Sequence, residues 1–376
     1  MEPFSVVIAG GGVAALEALL RLRRLAGDRV DITLLAPNEE FTYRALSVGE
    51  PFSLGAGERH PLAPMIEHCN AHWVMDTLQS VELKRGLLHT GSGDEVTFDT
   101  LLVAVGAKAR PAFEHVRSFE DARADELFRG VVQDVEEGYV RRIAFVNPSG
   151  PVWPLPLYEL ALMTAAKGYE TGLDDFQAHL ITAEPGALPA FGGAVSTAVR
   201  VLLESAGIVL HTSERPVMRG PGRISLPSEG IDLEVDSTVA MPQLFGPSIG
   251  GIPGTGRNGF IPIDRHCAVP GTGNRIFVAG DAADFPLKQG GVGAQAADTA
   301  AAAIARQAGA DIDVAEFRPF VQGKLMTGAG PKFLSAHYIG GQGFDSVISD
   351  EPMGSSEKVT AAELAPYFEQ VGAAGA

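Results

Sequence analysis

The apolar residues of this chain form short β-branched runs that alternate with stretches of helical spacing. Residues 5–9 are such a run, three glycines follow, and apolar residues from 13 to 25 recur at every third or fourth position. Residues 31–35 predict a second strand. A strand, a helix and a strand in this order form a βαβ unit, which predicts the start of a doubly wound parallel sheet.

The same rhythm returns after residue 142. It predicts strand, helix, strand and helix at 143–146, 157–166, 178–183 and 195–206. A third strand, at 275–279, also ends in glycine and precedes an alanine-rich helix at 293–308. The repetition suggests a duplicated module. We therefore predict an α/β protein with two Rossmann-like, doubly wound, three-layer dinucleotide-binding domains and a small C-terminal region.

The C-terminal region contains one further amphipathic pattern, which predicts a helix over residues 361–371. Thr360 and Glu363 have the spacing of a capping box, in which two side chains satisfy backbone amides at the first turn. The apolar residues of this helix share one face, namely Leu364, Tyr367, Phe368 and Val371. Its charges are mainly acidic, so packing on the body of the protein is favoured over membrane binding.

Composition and charge narrow the class of protein. The 376 residues are 45% hydrophobic and 20% charged, which is enough apolar material for two or three folded domains. Lysine and arginine number 29 against 46 acidic residues, and the net charge of −17 disfavours nucleic acid and anionic membranes as partners. We expect no signal peptide and no transmembrane segment, since a basic n-region and an apolar stretch of roughly 20 residues are both missing.

The cysteine content points to a reducing compartment. Cys69 and Cys267 are the two cysteines of the chain, too few for a disulfide framework. A cytoplasmic location is therefore expected.

The first candidate site is the loop Gly10-x-Gly12-x-x-Ala15, which follows a predicted strand and opens a predicted helix. Glycine is needed there because the turn is tight and a pyrophosphate must touch the backbone. Free backbone amides and the positive end of the helix attract the charge of the phosphates. In this context the loop predicts a dinucleotide site, whereas a glycine-rich turn that binds nothing is the simpler alternative.

One part of the usual dinucleotide pattern is missing. An acid about 20 residues beyond the loop normally holds the adenosine ribose, but here the second strand ends in Ala36-Pro37. Either Glu39 or Glu40 takes its place, or the backbone alone holds the ribose.

A second candidate site lies late in the chain, where the predicted strand at 275–279 runs into Gly280-Asp281. A carboxylate at this position would repel a phosphate. It can accept a hydrogen bond from a polyol hydroxyl, such as those of the ribityl chain of FAD.

Three motifs, in order, now carry a resemblance to a known family. They are the loop at 10–15, the stretch Leu102-Val-Ala104-Val-Gly106-Ala107, and Gly280-Asp281. Their order resembles that of the pyridine nucleotide-disulfide oxidoreductase superfamily, specifically the branch of type II NADH dehydrogenases and sulfide:quinone oxidoreductases. The resemblance extends over residues 4 to 340 at the level of motif order.

This resemblance implies a flavoprotein that holds FAD without a covalent bond. The FAD domain would comprise residues 1–110 and 236–310, the inserted NAD(P)-binding-like domain residues 111–235, and the C-terminal interface region residues 311–376. The implied FAD-binding residues are Gly10, Gly12, Val13, Ala14, Ala15, Ala36, Pro37, Arg44, Ala104, Gly106, Gly280, Asp281, Gly290, Gly291 and Val292. A helix that starts near Gly290 would aim its positive end at the flavin pyrimidine ring and favour the reduced state.

The resemblance also implies two catalytic residues. Lys288 resembles a lysine that sulfide:quinone enzymes carry at this place, and it would help to stabilise the reduced flavin; the alternative is a surface lysine. Glu159 resembles the glutamate of the Glu-Leu-Ala sequence of this branch and would relay protons beside the flavin. A glutamate favoured at a helix start by the helix dipole explains Glu159 equally well.

The electron donor and acceptor are less well defined. NAD(P)H is the expected donor on family grounds, but the loop at 147–159 is rich in proline, which lacks the amides of a pyrophosphate cradle. Glu184 ends a predicted strand where an acid for the nicotinamide ribose would lie, although the same residue occurs in sulfide:quinone enzymes. Residues 294–297 partly match a quinone-site stretch, but Thr299 replaces its final glutamine. A quinone or another small molecule is the expected acceptor.

Two other functions stay open alongside this one. A sulfide:quinone-like flavoprotein would not use nicotinamide, and Trp153 stands near the position of one of its redox cysteines; neither cysteine of this chain matches those positions. An FAD-containing binding protein that has lost turnover is the third alternative. His68, Cys69 and His72 have the spacing of metal ligands on a helix, but a fourth ligand is missing and no metal is predicted. A homodimer and a peripheral location at the membrane are left open.

Overall fold

The computed structural model describes residues 3–120, 123–253, 258–340, 343–352 and 358–374. Its helices are Val13–Ala26 (α1), Leu62–His68 (α2), Ala124–Glu136 (α3), Leu155–Glu170 (α4), Gly192–Ser205 (α5), Gly290–Gln307 (α6) and Leu364–Ala374 (α7). Its strands are Phe4–Ala9 (β1), Val30–Leu35 (β2), Glu40–Tyr43 (β3), Glu58–Pro61 (β4), His72–Val74 (β5), Leu78–Glu82 (β6), Leu87–Thr90 (β7), Glu95–Thr97 (β8), Thr100–Val103 (β9), Lys108–Arg110 (β10), Arg117–Ser118 (β11), Arg142–Asn147 (β12), Gln177–Thr182 (β13), Ile208–His211 (β14), Val217–Gly220 (β15), Arg223–Leu226 (β16), Ile231–Glu234 (β17), Ser237–Ala240 (β18), Gln243–Phe245 (β19), Ile276–Val278 (β20), Val321–Met326 (β21), Pro331–Gly340 (β22) and Gly343–Ser349 (β23).

The first sheet combines strands from distant parts of the chain. Its order is β20-β9-β1-β2-β5, and every pairing is parallel. β1 pairs with β2 in the register Val6 to Ile32, and α1 connects the two, so the predicted βαβ unit is present. In the central strand β1, residues Val6 to Ala9 are 0% exposed because a parallel sheet is covered on both faces. The late strand β20 lies at the edge beside β9, which brings residues 276–278 next to the N-terminal unit.

The second sheet has the same construction. Its order is β11-β18-β12-β13-β14, again with parallel pairings throughout. α4 connects β12 to β13 and α5 connects β13 to β14. The predicted α/β class with two Rossmann-like sheets is confirmed. β18 pairs within this sheet although it follows residue 235, the predicted end of the inserted domain; the domain boundaries stay a prediction.

Helices α1 and α6 cross at very short range above the first sheet. A Cβ atom on Gly293 would lie 3.0 Å from the Cα of Gly280, and a Cβ atom on Gly280 would lie 3.1 Å from the Cβ of Ala14. Only small residues permit this approach, which explains the alanine-rich sequence of α6. The crossing brings the loop after β1 against the loop after β20.

The C-terminal part adds the antiparallel sheet β21-β22-β23 and the helix α7. The predicted capping box is wrong: Thr360 donates its hydroxyl hydrogen bond to Gln322 Oε1, and α7 begins later, at Leu364. The cap comes instead from another helix, because Glu17 of α1 accepts from the amides of Glu363 and Leu364 at 2.9 and 2.7 Å. None of the described helices has the length and hydropathy needed to cross a lipid bilayer.

Candidate functional site

The loops that follow four strands of the first sheet meet at its carboxyl edge. In parallel strands these ends lie on one side, so the residues after β1, β2, β9 and β20 are brought together although they are far apart in sequence. They include Gly10, Ala36, Ala104 and Gly280, four of the predicted FAD-binding residues. This edge is the usual place for a ligand in a doubly wound sheet.

The glycine loop has two different kinds of glycine. Gly10 has φ +135°, and a Cβ atom there would lie 2.2 Å from the carbonyl oxygen of Ala104, so no other residue fits. Among the residues that the structure describes, a Cβ atom on Gly12 would meet no atom within 4 Å, and no side chain caps the helix that starts at Val13. Gly12 therefore leaves the start of α1 open on one side, with free amides and a positive helix end that suit a pyrophosphate.

The edge beyond β2 lacks a buried acid. Ala36 is buried and its amide donates to Val74 O at 3.1 Å, whereas Pro37, Glu39 and Glu40 are all exposed. The exposed carboxylates leave both predicted alternatives for the adenosine ribose available. Arg44 is also exposed, in the segment that follows β3, and its role stays a prediction.

Asp281 lies just after β20, it is partly exposed, and its carboxylate makes no hydrogen bond within the described residues. Gly280 has φ +70°, which turns the backbone sharply between strand and aspartate. Burial raises the pKa of Asp281, and the nearby Lys288 opposes that shift. A partly exposed carboxylate without a protein donor suits the hydroxyl groups of a polyol, because they can reach it and donate hydrogen bonds to it.

Lys288 is a buried residue and not a surface lysine, since it is 4% exposed. Its ammonium group donates to the backbone oxygens of Asp281, at 3.1 Å, and of Ala283, and it lies 3.6 Å from the ring centroid of Phe260. Burial lowers the pKa of Lys288 to about 8. These three contacts match the three N–H donors of an ammonium, so Lys288 orients the loop that carries Asp281. A direct contact with flavin stays a prediction.

The first turn of α6 faces the same region. Gln289 caps the helix, with Oε1 accepting from the amide of Val292 at 2.9 Å and Nε2 donating to Gln322 O at 3.0 Å. The amides of Gly290 and Gly291 have no acceptor within the described residues. They are the free donors at the positive end of this helix and are available to an electron-rich group.

Residues 358–360 run directly across this first turn. A Cβ atom on Gly290 would lie 3.1 Å from both methyl groups of Val359, and one on Gly291 would lie 3.3 Å from Thr360 O. The amide of Val359 donates to the hydroxyl of Tyr43 at 2.9 Å. The C-terminal segment therefore closes one side of the groove that the sheet edge opens.

Glu159 forms a buried ion pair that no sequence motif predicts. It lies in the second turn of α4, it is 0% exposed, and its Oε2 lies 2.8 Å from Nζ of Lys358, which is 8% exposed. Its Oε1 accepts from the amide of Met326 at 3.0 Å. Glu159 thus links α4 to the segment that covers α6. It does not lie at the very start of the helix. Its role as a proton relay stays a prediction.

The second sheet lacks the equivalent of the first glycine loop. Pro154 directly precedes α4 and Pro156 lies in its first turn, and the amide of Leu157 is already used by Pro154 O at 3.0 Å. Few donors are left there for a pyrophosphate. Trp153 packs on Phe191 with ring centroids 5.8 Å apart.

A small polar network stands at the carboxyl edge of this sheet. Asn147 Nδ2 donates to Thr182 Oγ1 at 3.0 Å and to Glu184 Oε2 at 3.2 Å. Burial raises the pKa of Glu184 to about 7. The network occupies the place where the sequence predicted a ribose-binding acid.

The cysteines and histidines do not form a redox or metal centre within the described residues. Both thiols are buried, and burial raises the pKa to about 11 for Cys69 and about 12 for Cys267. His68 contacts the ring of Tyr367, while His72 lies 3.3 Å from Asp31 on another side. No group of three metal-ligating side chains is found in the ranges that the structure covers.

Sequence reasoning missed several residues of this site. Lys358, Gln289, Tyr43 and Glu17 have no motif around them, and each acquires its role through a partner that is distant in sequence. The only available signal was indirect: a charged residue within an apolar helical pattern, as at Glu17, predicts a buried charge that needs a partner.

Comparison with known proteins agrees with this geometry. Residues 4–135 match the family described as pyridine nucleotide-disulphide oxidoreductase. The sulfide:quinone oxidoreductase of the hyperthermophilic bacterium Aquifex aeolicus is similar in structure, with a TM-score of 0.81 at 20% identity, over 98% of this chain and 89% of that one.

Two further solved structures are similar over most of this chain. An NAD-dependent persulfide reductase from A. fulgidus has a TM-score of 0.64 at 18% identity, covering 90% of this chain and 65% of that one. NDH2 from Plasmodium falciparum has a TM-score of 0.60 at 16% identity, covering 76% and 65%. At these identities the similarity shows a shared fold.

Proposed function

We propose, from the match of residues 4–135 to the pyridine nucleotide-disulphide oxidoreductase family and from the geometry of the first sheet edge, that this chain is an FAD-dependent oxidoreductase. It would transfer electrons from a small reduced donor to a quinone or another small acceptor. The observation that supports this proposal most strongly is that Gly10 and Gly12 lie at the same sheet edge as Gly280 and Asp281. The close packing of α1 against α6 brings them together. When bound, FAD would supply two-electron redox chemistry.

The residues of the groove fit the parts of a flavin dinucleotide. The open start of α1 at Gly12 would hold the pyrophosphate, and Asp281 would accept hydrogen bonds from the ribityl hydroxyls. The amides of Gly290 and Gly291 would face the pyrimidine end of the ring. Lys288 would keep Asp281 in place. The buried pair of Glu159 and Lys358 would exclude water from the side of the groove next to α4.

For the donor, the geometry favours a small reductant other than NAD(P)H. The first turn of α4 has prolines in place of amide donors, so a dinucleotide would find no cradle on the second sheet. The structurally similar Aquifex aeolicus protein is a sulfide:quinone oxidoreductase, which supports this alternative. Thiol chemistry at Cys69 or Cys267 is not supported, because both are buried and their thiols have raised pKa values.

NAD(P)H is the second candidate for the donor. Glu184 and Asn147 stand at the carboxyl edge of the second sheet, where a carboxylate could accept hydrogen bonds from a ribose. The structurally similar protein from A. fulgidus is an NAD-dependent persulfide reductase.

Anaerobic titration of the purified protein, reconstituted with FAD, tests these proposals. Binding of FAD with a yellow absorbance band is expected, and failure of the wild-type protein to bind FAD would refute the function. Bleaching by sulfide or a thiol but by neither NADH nor NADPH supports the first donor class. Bleaching by NADH or NADPH supports the second. A bound flavin that no donor reduces would identify a binding protein that has lost turnover.

A further inference from the structure

The C-terminal residues 358–374, here called the clasp, connect three parts of the molecule. Lys358 pairs with Glu159 of α4, and Val359 and Thr360 lie against the first turn of α6. Helix α7 packs against α1 and α2. Phe368 of the clasp stacks on His60 of β4 with ring centroids 3.9 Å apart. A flavin ring at the first turn of α6 would therefore lie beneath the clasp.

One buried carboxylate holds the start of α7. Glu17 is 0% exposed, and its two oxygens accept from the amides of Glu363 and Leu364 at 2.9 and 2.7 Å. These amides are the unsatisfied donors of a helix N-terminus, so Glu17 serves as an N-cap supplied from a different helix. The start of α7 would lose its cap if the clasp detached.

We propose that the clasp must detach before FAD can enter or leave the groove, and that Glu17 is the positioning residue that controls this step. The inference rests on the proposed function, since FAD is the group that the clasp would retain. Closing the clasp buries Glu17 between α1, α6 and α7, and opening it returns the carboxylate to water.

The charges around Glu17 determine how the clasp responds to pH. Arg21 and Arg24 of α1 both pair with Glu363 of the clasp, at 2.9 and 2.6 Å, and Asp298 of α6 stands beside them. Burial, and next the charge of Asp298, raise the pKa of Glu17 to about 7.

Asp298 responds in the same direction. Burial raises its pKa to about 6, and the charge of Glu363, a residue of the clasp, adds to that shift. Both pKa values are therefore higher in the closed state than in water, and the two carboxyl groups hold protons more tightly when the clasp is closed.

The sign of the effect follows from linkage. Opening lets Glu17 return toward its ordinary pKa of 4.5, so opening releases a proton between that value and about 7. Opening is then increasingly favoured as pH rises through this interval, by up to about tenfold per pH unit for one proton, and it levels off above the closed-state pKa.

The test measures the rate at which the FAD-loaded protein releases FAD, followed by the rise in flavin fluorescence, from pH 5 to pH 8. Wild-type release should accelerate up to about pH 7 and then level off. Glu17→Gln cannot titrate, and it keeps one acceptor oxygen for one of the two amides while its NH2 group faces the other. It should reduce the total acceleration between pH 5 and pH 8 at least about tenfold.

Glu369→Gln is the matched control, because Glu369 is an exposed residue of the same helix. It should leave the wild-type pH profile unchanged. Asp298 stands beside Glu17, and His60 and His68 contact the clasp through their rings, so a pH dependence that persists undiminished in Glu17→Gln would come from another group and would overturn the role of Glu17. A flat wild-type profile would overturn the proposal as well.

Hydrogen exchange of the clasp separates this inference from the proposed function. After correction for intrinsic exchange, the protection of peptides from residues 358–371 should fall between pH 5 and pH 7.5 in wild type and stay constant in Glu17→Gln, even in protein without FAD. That result, in a protein that does not bind FAD, would support the role of Glu17 in the clasp and would refute the proposed FAD-dependent function. FAD binding together with the same pH dependence of exchange in both proteins would refute the role of Glu17 in the clasp and leave the proposed function standing.

Discussion

The buried pair of Glu159 and Lys358 makes the sharpest prediction about stability. Their charged atoms are 2.8 Å apart, and the side chains are 0% and 6% exposed. Lys358→Met removes the cation that lies 2.8 Å from the buried Glu159 carboxylate, which should lower the free energy of unfolding by about 3–5 kcal/mol. Glu159→Gln together with Lys358→Met removes both charges and keeps an acceptor for the amide of Met326, so the double variant should recover about 2 kcal/mol or more.

The assay is a double-mutant cycle from urea unfolding curves, followed by tryptophan fluorescence. Trp73 lies in β5 of the first sheet and Trp153 packs near the second, so both sheets are observed. The control is the exposed pair Arg200 and Glu204 on α5, whose coupling should be about 0.3–0.5 kcal/mol. A coupling between Glu159 and Lys358 no larger than that of the control pair would show that the two charges are solvated, and the reasoning would fail.

Three further predictions concern the cofactor groove and the thiols. Gly10→Ala should destabilise the fold by more than about 1 kcal/mol, because Gly10 has a positive φ. Gly12→Ala should change stability by at most about 0.5 kcal/mol. It should nevertheless weaken FAD binding at least about tenfold, as measured by calorimetry with FAD. Asp281→Asn should raise the Kd for FAD by about 10- to 100-fold through loss of charge-assisted hydrogen bonds, and an unchanged Kd would remove Asp281 from the site. With pKa values of about 11 and 12, Cys69 and Cys267 should be at most about 0.1% thiolate at pH 8, so a thiol reagent should label them only after denaturation.

Local patterns predicted most of the architecture. The glycine loop at 10–15 and the apolar runs on either side of it predicted β1, α1 and β2, and the return of the pattern predicted the second sheet. Such patterns are reliable because each depends on residues within one or two turns or one strand. The start of α6 at Gly290 was predicted three residues late in the periodicity, since the capping side chain of Gln289 lies before the alanine-rich pattern begins.

The sequence did not predict which charged residues pair with groups distant along the chain. Thr360 and Glu363 had the spacing of a capping box, yet the cap of α7 comes from Glu17, more than three hundred positions earlier. Lys288 could be identified by resemblance as a residue near the flavin, but its contacts with two backbone oxygens and with Phe260 could not.

The amino-acid order thus determined which segments are strands, which are helices, and which turns require glycine, because backbone conformation and helical periodicity are short-range properties. Tertiary structure alone decided which buried charges meet: Glu159 with Lys358, and Glu17 with the start of α7. The reason is that a buried charge must find a partner wherever the packed core brings one within hydrogen-bonding distance, and separation along the chain does not limit that choice.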